Sequence, residues 1–553
     1  MTRRGAEIPA ARRAALEALL AVLPELEKRP GRGRAGSAPA RGHGTNDAHD
    51  AHDAHVAQDA QAALDAALAA QPGMDERDAA LATEVVYGAL RLKGRIEHLL
   101  GGFLDAPDKL PQALRVILLA AAYEILYLDR VPTYASVNWA VDAVRSGVSA
   151  GLAGLTNAVL RRVGQLGNEI HEKAYYTSGK GPGAQESVAT WSRFYSCPEW
   201  IVRLWREAYG MDVAERLLRA QLSPPALGVA IAAPPAQAGP SARPAASVHP
   251  ADTAPPAGSW AQQARQAKAL SAAAETAPDA ASSPATGGAS RAANGPANGP
   301  VKGPANGPVN GPAHDPGSLR EQLAALPGLL DHAGLGFAFP AGTRLESFLE
   351  SQALASLSRG SFAARRALLA LEPASWAARW PGPVWDACSG RGGKARVLRE
   401  LGLDVRASDP HRGRIRALRA ELPTVPATVA DALDGPPEEL FADRAPAVVL
   451  LDAPCSGLGV LSRRPDIKWH RAPGDVADLA ALQGRLLDAA ARPETRAIAY
   501  ITCTLAPREN EEAVRRFLEA HADFSEAVRH TTPPASPLGE YFFASLLVRA
   551  SLP

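Results

Sequence analysis

The first part of the chain repeats apolar residues at intervals of three and four positions, which is the spacing of one face of an α-helix. Alanine, leucine and valine follow this spacing from about Ile8 to Val163. The clearest predicted helices are Leu81 to Leu100, Leu114 to Leu128, Val137 to Val144 and Leu152 to Val163. The pattern predicts an all-α domain over residues 1–165 and a helical connector over residues 190–232.

After Gly382 the pattern changes to short apolar runs that are separated by helical segments. The predicted strands are Val384 to Ala387, Val405 to Asp409, Thr428 to Ala430, Val448 to Asp452, Ala497 to Thr502 and Phe542 to Val548. This alternation predicts an α/β, Rossmann-like domain over residues 318–553. Its sheet is expected to be mostly parallel and doubly wound, with ligands at the carboxyl ends of the strands.

Two segments have a composition that cannot supply a packed core. Residues 233–317 are mainly Ala, Pro, Gly, Ser and Asn, with a near four-residue Asn-Gly-Pro repeat from Asn294 to Pro312. We predict a disordered linker there, because few side chains can be buried and proline blocks regular hydrogen bonding. Residues 36–60 contain a His-Asp repeat whose histidines could bind a transition metal. A low-complexity surface loop is the better interpretation, and we predict no metal site.

The bulk composition narrows the class of protein. A length of 553 residues allows two or three domains, and a net charge of +1 indicates neither an acidic nor a basic partner. Eight arginines in the first 41 residues would suit RNA phosphates, although a solvated tail is an equal alternative. The four cysteines form no Cys-x-x-Cys pair, which favours a reducing compartment. Without an apolar stretch of about 18 residues or a signal peptide, we expect a cytoplasmic protein with no membrane partner.

Acidic residues follow four predicted strands. The first strand runs through Asp386 into a glycine-rich turn over residues 388–394, where glycine lets the backbone approach a ligand closely. Asp409 ends the second strand, where a carboxylate can accept hydrogen bonds from ribose hydroxyls. Asp431 and Asp452 follow the third and fourth strands. Each aspartate alone is usually a helix cap or turn residue, but four in register favour a nucleoside pocket.

Two of the four cysteines, Cys455 and Cys503, also follow predicted strands. A cysteine is more often a small buried hydrophobe than a catalytic group. A thiolate, however, can add to C6 of cytosine and so make C5 nucleophilic toward an electrophilic methyl group. A second thiol could assist release of the adduct, and Asp452 could hydrogen-bond the edge of the base. Their coincidence with the strand-end acids favours the chemical interpretation.

The stretch from about Val384 to His521 resembles the RNA 5-methylcytosine methyltransferases of the Sun (Fmu, or RsmB-like) family. The matching motifs are Asp452 to Val460, Arg464 to Trp469, Thr502-Cys503-Thr504 and Glu509-Asn510-Glu511. The resemblance implies S-adenosylmethionine as cofactor, Cys503 as nucleophile, Cys455 in product release and Asp452 in base positioning. It implies cofactor contacts from Cys388, Ser389, Gly390, Arg391, Gly392, Gly393, Lys394, Asp409, Arg414, Asp431 and Asp452.

The N-terminal helices resemble the NusB-type RNA-binding domain, on the segments 87–91 (Tyr-Gly-Ala-Leu-Arg) and 156–161 (Thr-Asn-Ala-Val-Leu-Arg). The two resemblances together imply methylation of a cytidine in RNA, most simply 16S ribosomal RNA, by a monomer. Transfer RNA as substrate and a non-catalytic RNA-binding or ribosome assembly factor are the alternatives.

The chain departs from the family pattern at two points. The glycine-rich turn has Ser389-Gly390-Arg391 where the family has Ala-Ala-Pro, which puts a guanidinium near the expected cofactor. Cys197 stands where a histidine is usual, and a structural role is expected for it.

Overall fold

A computed structural model describes residues 8–23, 59–177, 183–231 and 316–550. The predicted loop over residues 36–60 and the predicted linker over residues 233–317 lie almost entirely outside these residues, and both stay predictions. The chain forms two compact units. The larger unit comprises residues 1–229, 328–343 and 359–553, and the smaller comprises residues 230–327 and 344–358.

The N-terminal part of the larger unit is a helical domain, as the sequence predicts. Its α-helices are Ala10–Val22, Ala60–Ala69, Glu76–Gly101, Gln112–Tyr127, Thr133–Gly147 and Ala153–Val163, followed by Val188–Phe194, Glu199–Tyr209 and Met211–Ala220. The helix Gln112–Tyr127 is the most apolar of the first six, and its buried residues join the core that all six share. The buried carboxylate of Glu124 ties three helices, since it accepts hydrogen bonds from Arg12, Ser136 and Trp139.

The C-terminal part of the larger unit contains a seven-stranded sheet of order β10-β11-β9-β8-β5-β6-β7. Its strands are β5 (Val384–Asp386), β6 (Val405–Asp409), β7 (Ala427–Val429), β8 (Val448–Asp452), β9 (Ala497–Thr502), β10 (Phe524–Thr531) and β11 (Phe543–Arg549). Strands β5 to β9 pair in parallel, and β10 and β11 are antiparallel additions. The sheet is therefore mostly parallel, which confirms the predicted Rossmann-like fold.

Helices cover both faces of this sheet. They are Phe362–Leu369, Trp376–Arg379, Gly393–Glu400, Arg412–Glu421, Glu438–Phe441, Ile467–His470, Pro473–Ala490 and Glu511–Ala520. Along β8, Val448 and Leu450 join one buried cluster while Val449 and Leu451 join another, because successive side chains of a strand point to opposite faces. The near-continuous apolar run of β8 is typical of a parallel strand that is buried on both faces.

A smaller four-stranded sheet has the order β2-β3-β1-β4. Its strands are β1 (Leu227–Ile231), β2 (Asp331–Ala333), β3 (Gly336–Phe339) and β4 (Leu357–Gly360), and the nearby helices are Pro316–Ala324 and Ser351–Ala355. The predicted helical connector over residues 190–232 is therefore wrong at its end, where β1 lies. Pro224 and Pro225 stop the preceding helix, and the alternating Val229 and Ile231 favour a strand.

The pattern analysis also missed β10. This strand lies at the edge of the large sheet, and most of its residues are only partly buried or exposed. Polar residues such as Ser525, Glu526 and Arg529 interrupt the apolar pattern that marks the inner strands. Within the described ranges, no helix is both long and apolar enough to cross a membrane.

Candidate active site

The predicted site residues meet at the carboxyl ends of the parallel strands. Asp386, Asp409 and Asp452 are the last residues of β5, β6 and β8, and Cys503 directly follows β9. From β5 the chain continues to β6 and β7 on one side of the sheet, and it then crosses to β8 on the other side of β5. The strand order therefore reverses between β5 and β8, and the carboxyl ends of these two strands form the switch point of the sheet. Crevices at such points are where open α/β sheets bind their ligands.

The glycine-rich turn needs glycine at two positions. Gly390 has a φ of +55°, and its amide donates to Asp409 Oδ2 at 3.0 Å. Gly392 has a φ of +86°, and a Cβ there would lie 2.9 Å from Leu422 Cδ1. The helix Gly393–Glu400 begins immediately afterwards. Arg391 turns away from the expected cofactor contact, because its guanidinium is largely exposed and pairs with Glu421 at 3.1 Å.

Asp386 is a buried acid without a partner. It is fully buried, and neither carboxyl oxygen has a hydrogen-bond partner among the residues that the structure describes. Burial, and then the charge of Asp452, raises the pKa of Asp386 to about 8. The neighbouring Ser389 Oγ is likewise buried without a partner in this part of the chain. Such groups are costly unless something binds them, and a cationic ligand fits the carboxylate.

The S-adenosylmethionine expected from the sequence fits these residues. It carries a sulfonium and an ammonium group, which suit Asp386, and a ribose, which suits Asp409. Asp409 is buried and accepts from the amides of Gly390 and His411, and Arg414 Nη1 lies 3.5 Å from its Oδ2. Asp431 accepts from the Leu433 amide at 3.0 Å, so it caps the short helix Ala432–Asp434. Asp431 therefore caps the short helix that follows β7, whether or not it also contacts a ligand.

Several acidic side chains raise the pKa of the Cys388 thiol. Burial raises the pKa of Cys388 well above its usual value, and the charges of Asp386, Asp452, Asp409 and Asp431 raise it further, in that order. The four strand-end acids predicted from the sequence are thus brought around one point. Cys388 is a neutral thiol there and not a nucleophile.

Lys394 reaches from the glycine-rich turn to the end of β8. Its Nζ lies 2.5 Å from Asp452 Oδ2. Burial is the largest single effect and lowers the pKa of Lys394, but Asp452, Cys503 and Asp386 together outweigh it, and the net direction is upward. The ammonium therefore stays charged beside Asp452, at the end of β8.

The two thiols Cys455 and Cys503 lie side by side. Their sulfur atoms are 3.1 Å apart, and the Cys503 amide donates to Cys455 Sγ at 3.3 Å. The hydrogen bond to Cys503, together with burial, raises the pKa of Cys455 well above its usual value. Cys455 therefore remains a protonated thiol that can donate a hydrogen bond to Cys503 Sγ.

A buried glutamate joins the two cysteine segments. Glu509 Oε2 accepts from the Ser456 amide at 2.8 Å and from Gln483 Nε2 at 3.0 Å, and Oε1 accepts from Thr504 Oγ1 at 3.3 Å. Ser456 Oγ and Thr504 Oγ1 are 2.6 Å apart. Burial raises the pKa of Glu509, while these donors oppose the rise.

Motif matching alone gave Glu509 no role, and Gln483 carried no signal at all, because its partners lie 26 and 29 positions away in sequence. The position of Glu509 seven residues beyond Thr502, in the matched Glu-Asn-Glu motif, was the one available clue.

Comparison with known families agrees with this geometry. Residues 370–541 match the family model described as 16S rRNA methyltransferase RsmB/F. Residues 46–165 match the NusB family model. The first match lies in the predicted α/β domain, and the second lies in the predicted helical domain.

Curated relatives match along most of their length. A probable ribosomal RNA small subunit methyltransferase B from Synechocystis is 28% identical over 491 residues, with 85% of this chain and 87% of the relative covered. The ribosomal RNA small subunit methyltransferase B of Thermus thermophilus is 29% identical, with 83% of both chains covered. The crystal structure of PH0851 superposes with a TM-score of 0.60 at 16% identity and covers 98% of this chain and 99% of that one, which shows a common fold.

Proposed function

We propose that the chain methylates C5 of a cytidine in 16S ribosomal RNA, because residues 370–541 match the 16S rRNA methyltransferase RsmB/F model and residues 46–165 match the NusB model. Its cofactor, S-adenosylmethionine, supplies the electrophilic methyl group. The relatives named as ribosomal RNA small subunit methyltransferases support this RNA class. The single observation that carries the cytosine chemistry is the pair of thiols, 3.1 Å apart, at the ends of β8 and β9.

Cys503 is the nucleophile in this proposal. Its thiolate forms a bond to C6 of cytosine, and the electron density that this releases makes C5 able to accept a methyl group. Once the methyl group is bonded to C5 and S-adenosylhomocysteine has left, a base takes the C5 proton, and the electron pair of the C5–H bond re-forms the C5–C6 double bond as the Cys503 thiolate leaves C6. Cys455 Sγ lies 3.1 Å from Cys503 Sγ and can donate a hydrogen bond to it before attack.

Cys455 assists the second half of the reaction. Its sulfur lies within hydrogen-bond distance of the sulfur that must leave C6. Asp452, held by Lys394, offers a carboxylate oxygen to the exocyclic amine of the base and so orients the ring for attack. Asp386, Asp409 and the glycine-rich turn bind the cofactor, and the buried position of these groups excludes water from it.

Methyl transfer to purified RNA tests the proposal. Purified protein is incubated with S-adenosylmethionine labelled in its methyl group and with 16S ribosomal RNA or transfer RNA, and methylated positions are read by bisulfite sequencing. We expect label at a cytidine of 16S RNA. Label in transfer RNA alone would overturn the substrate, label on another base would overturn the chemistry, and cofactor binding without any transfer would favour an assembly factor.

A further inference from the structure

A short segment separates the catalytic thiols from the helical domain. We call residues 455–459 the Cys455 turn and residues 464–471 the bridging segment. On one side of the turn, the Gly459 amide donates to Cys503 O at 2.9 Å, and a Cβ on Gly459 would lie 2.8 Å from that oxygen. On the other side, a Cβ on Gly457 would lie 2.7 Å from Ile467 Cδ1. The turn is therefore packed closely between Cys503 and the bridging segment.

The bridging segment also bonds to the turn directly. Arg471 Nε donates to Ser456 O at 3.3 Å, and Ser456 is the residue whose amide binds Glu509. A displacement of the bridging segment would thus reach the residue next to Cys455. Interiors packed this closely transmit such displacements.

The far side of the bridging segment is anchored by a buried lysine. Lys468 is 1% exposed, and its Nζ donates to Arg91 O at 2.8 Å and to Gln221 Oε1 at 2.7 Å. Trp469 Nε1 donates to Leu90 O at 2.7 Å. Two consecutive residues of the bridging segment therefore bind two consecutive carbonyls of the helix Glu76–Gly101.

The helix is adapted to receive these donors. The amides four residues beyond the two carbonyls, at Gly94 and Arg95, donate to Ser196 Oγ at 2.9 and 3.4 Å. Ser196 is fully buried and has a φ of +48°, a conformation that costs a non-glycine residue free energy and persists where surroundings demand it. A Cβ on Gly94 would lie 3.0 Å from Trp469 Cη2. Strain and close approach are concentrated at the point where the bridging segment meets the helix.

Placing the amine of Lys468 in this buried position costs desolvation free energy. Burial lowers the pKa of Lys468 to about 7, although Cys197 opposes the shift, and Arg91, Arg95 and Lys93 add to it. A neutral amine still has two hydrogens for its two acceptors. An apolar side chain of the same length would avoid the desolvation penalty, so the value of the lysine lies in the two directional bonds.

We infer that Lys468 is a positioning residue for methyl transfer, which fixes the bridging segment on the helical domain and so holds the Cys455 turn against Cys503. The inference rests on the proposed function for its kinetic readout. Its structural readout, the protection of the turn, is independent of that function.

The variant Lys468→Met tests the inference, with Lys173→Met as the matched control. Lys173 is partly buried, and its Nζ pairs at 3.2 and 3.1 Å with Glu186 and Glu215, which both lie in the helical part of the chain. We expect Lys468→Met to lower kcat by about 100-fold, as a small misplacement of reacting groups does. The KM for RNA and the affinity for S-adenosylmethionine should stay within about twofold, since Lys468 is buried and is not among the proposed cofactor residues.

Hydrogen exchange of the amides of residues 455–459 supplies the second readout. It should quicken in Lys468→Met and not in Lys173→Met, whether or not the protein proves to methylate RNA. An unchanged kcat and unchanged exchange in folded Lys468→Met would overturn the inference, and so would an equal loss in the Lys173→Met control. If wild-type protein transfers no methyl group, the proposed function fails while the exchange data still decide the positioning role.

Trp469→Phe covers the case in which Lys468→Met does not fold. It keeps an aromatic side chain but removes the indole donor to Leu90 O together with part of the ring volume. We expect the same pattern at reduced size, with kcat lowered about threefold to tenfold and quicker exchange of the turn. Wild-type values for both would overturn the inference.

Discussion

On the cofactor side of the site, residues 386–431, the buried Asp386 has two carboxyl oxygens without a partner in the described chain. On the thiol side, residues 452–510, the buried Glu509 accepts three hydrogen bonds from the protein itself. Both acids are raised in pKa by burial. The difference indicates that the cofactor side has hydrogen-bond acceptors available for a ligand. On the thiol side the acceptors of Glu509 bind the protein itself and hold the two cysteine segments together.

Removing the single sulfur atom of Cys503 should abolish methyl transfer and leave cofactor binding unchanged. Cys503→Ala removes the sulfur that bonds to C6 in the proposed mechanism, and we expect methyl transfer to fall by more than about 10⁴-fold. Binding of S-adenosylmethionine, measured by calorimetry, should stay at the wild-type value because Cys503 belongs to the thiol side. Cys503→Ser is the matched variant: it keeps the shape and has a far weaker nucleophile. Turnover in either variant would contradict the assignment.

The two thiols should also be separable from each other. Cys455→Ala leaves Cys503 able to attack but removes the neighbour that assists its release, so a covalent complex between protein and RNA should accumulate. We expect turnover to fall by about 10²-fold to 10³-fold. A band of retarded mobility on a denaturing gel, absent from the Cys455→Ala/Cys503→Ala double variant, would report the complex. If no such band forms, Cys455 has a structural role only.

These two sides differ in how far the sequence alone could describe them. Asp386, Asp409, Asp452 and Cys503 end strands or directly follow one, and the alternation of strands and helices is visible in the chain as a local pattern. Parallel pairing then brings all strand ends to one edge, so the cofactor side and the thiols could be predicted together.

The contacts that stiffen the thiol side have no local pattern. Lys468 meets Arg91 and Gln221 across 377 and 247 positions of sequence. No periodicity connects such partners, and a lysine in an apolar run is usually read as a solvent-exposed residue. The same holds for Arg391, whose pairing with Glu421 depends on the approach of a helix 30 positions away.

The cofactor side should respond to pH through Asp386. Its pKa of about 8 means that the carboxyl is protonated at pH 7 without a ligand, while a cationic cofactor requires the carboxylate. Binding must then release a proton, so affinity for S-adenosylmethionine should rise by up to about tenfold per pH unit between pH 6 and 8 and level off above. Isothermal titration across this range measures it.

Asp386→Asn should flatten this dependence and weaken binding by about tenfold, since the amide cannot ionise. The folded-state pKa is raised, so the wild-type protein without cofactor loses stability as pH rises from about 4 toward 8. The variant should accordingly have the higher Tm at pH 8. Asp488→Asn, at a largely exposed carboxylate, is the control and should change neither property. A pH-dependent affinity that persists in Asp386→Asn would assign the proton to another group.

The smallest effects are expected for a substitution of Glu509 that can still make the same hydrogen bonds. In Glu509→Gln the amide oxygen can still accept from Ser456 and Gln483, and the new NH₂ group can donate to the Thr504 hydroxyl, so kcat should change by less than about threefold. Glu509→Ala leaves the buried Ser456 amide unpaired, at a cost of about 1–3 kcal/mol, and leaves Gln483 Nε2 with only the Pro454 carbonyl, so it should lower both Tm and kcat. Denaturant unfolding and single-turnover rates compare the pair. Equal losses in Gln and Ala would mean that the charge of Glu509, and not its bonding, holds the two cysteine segments together.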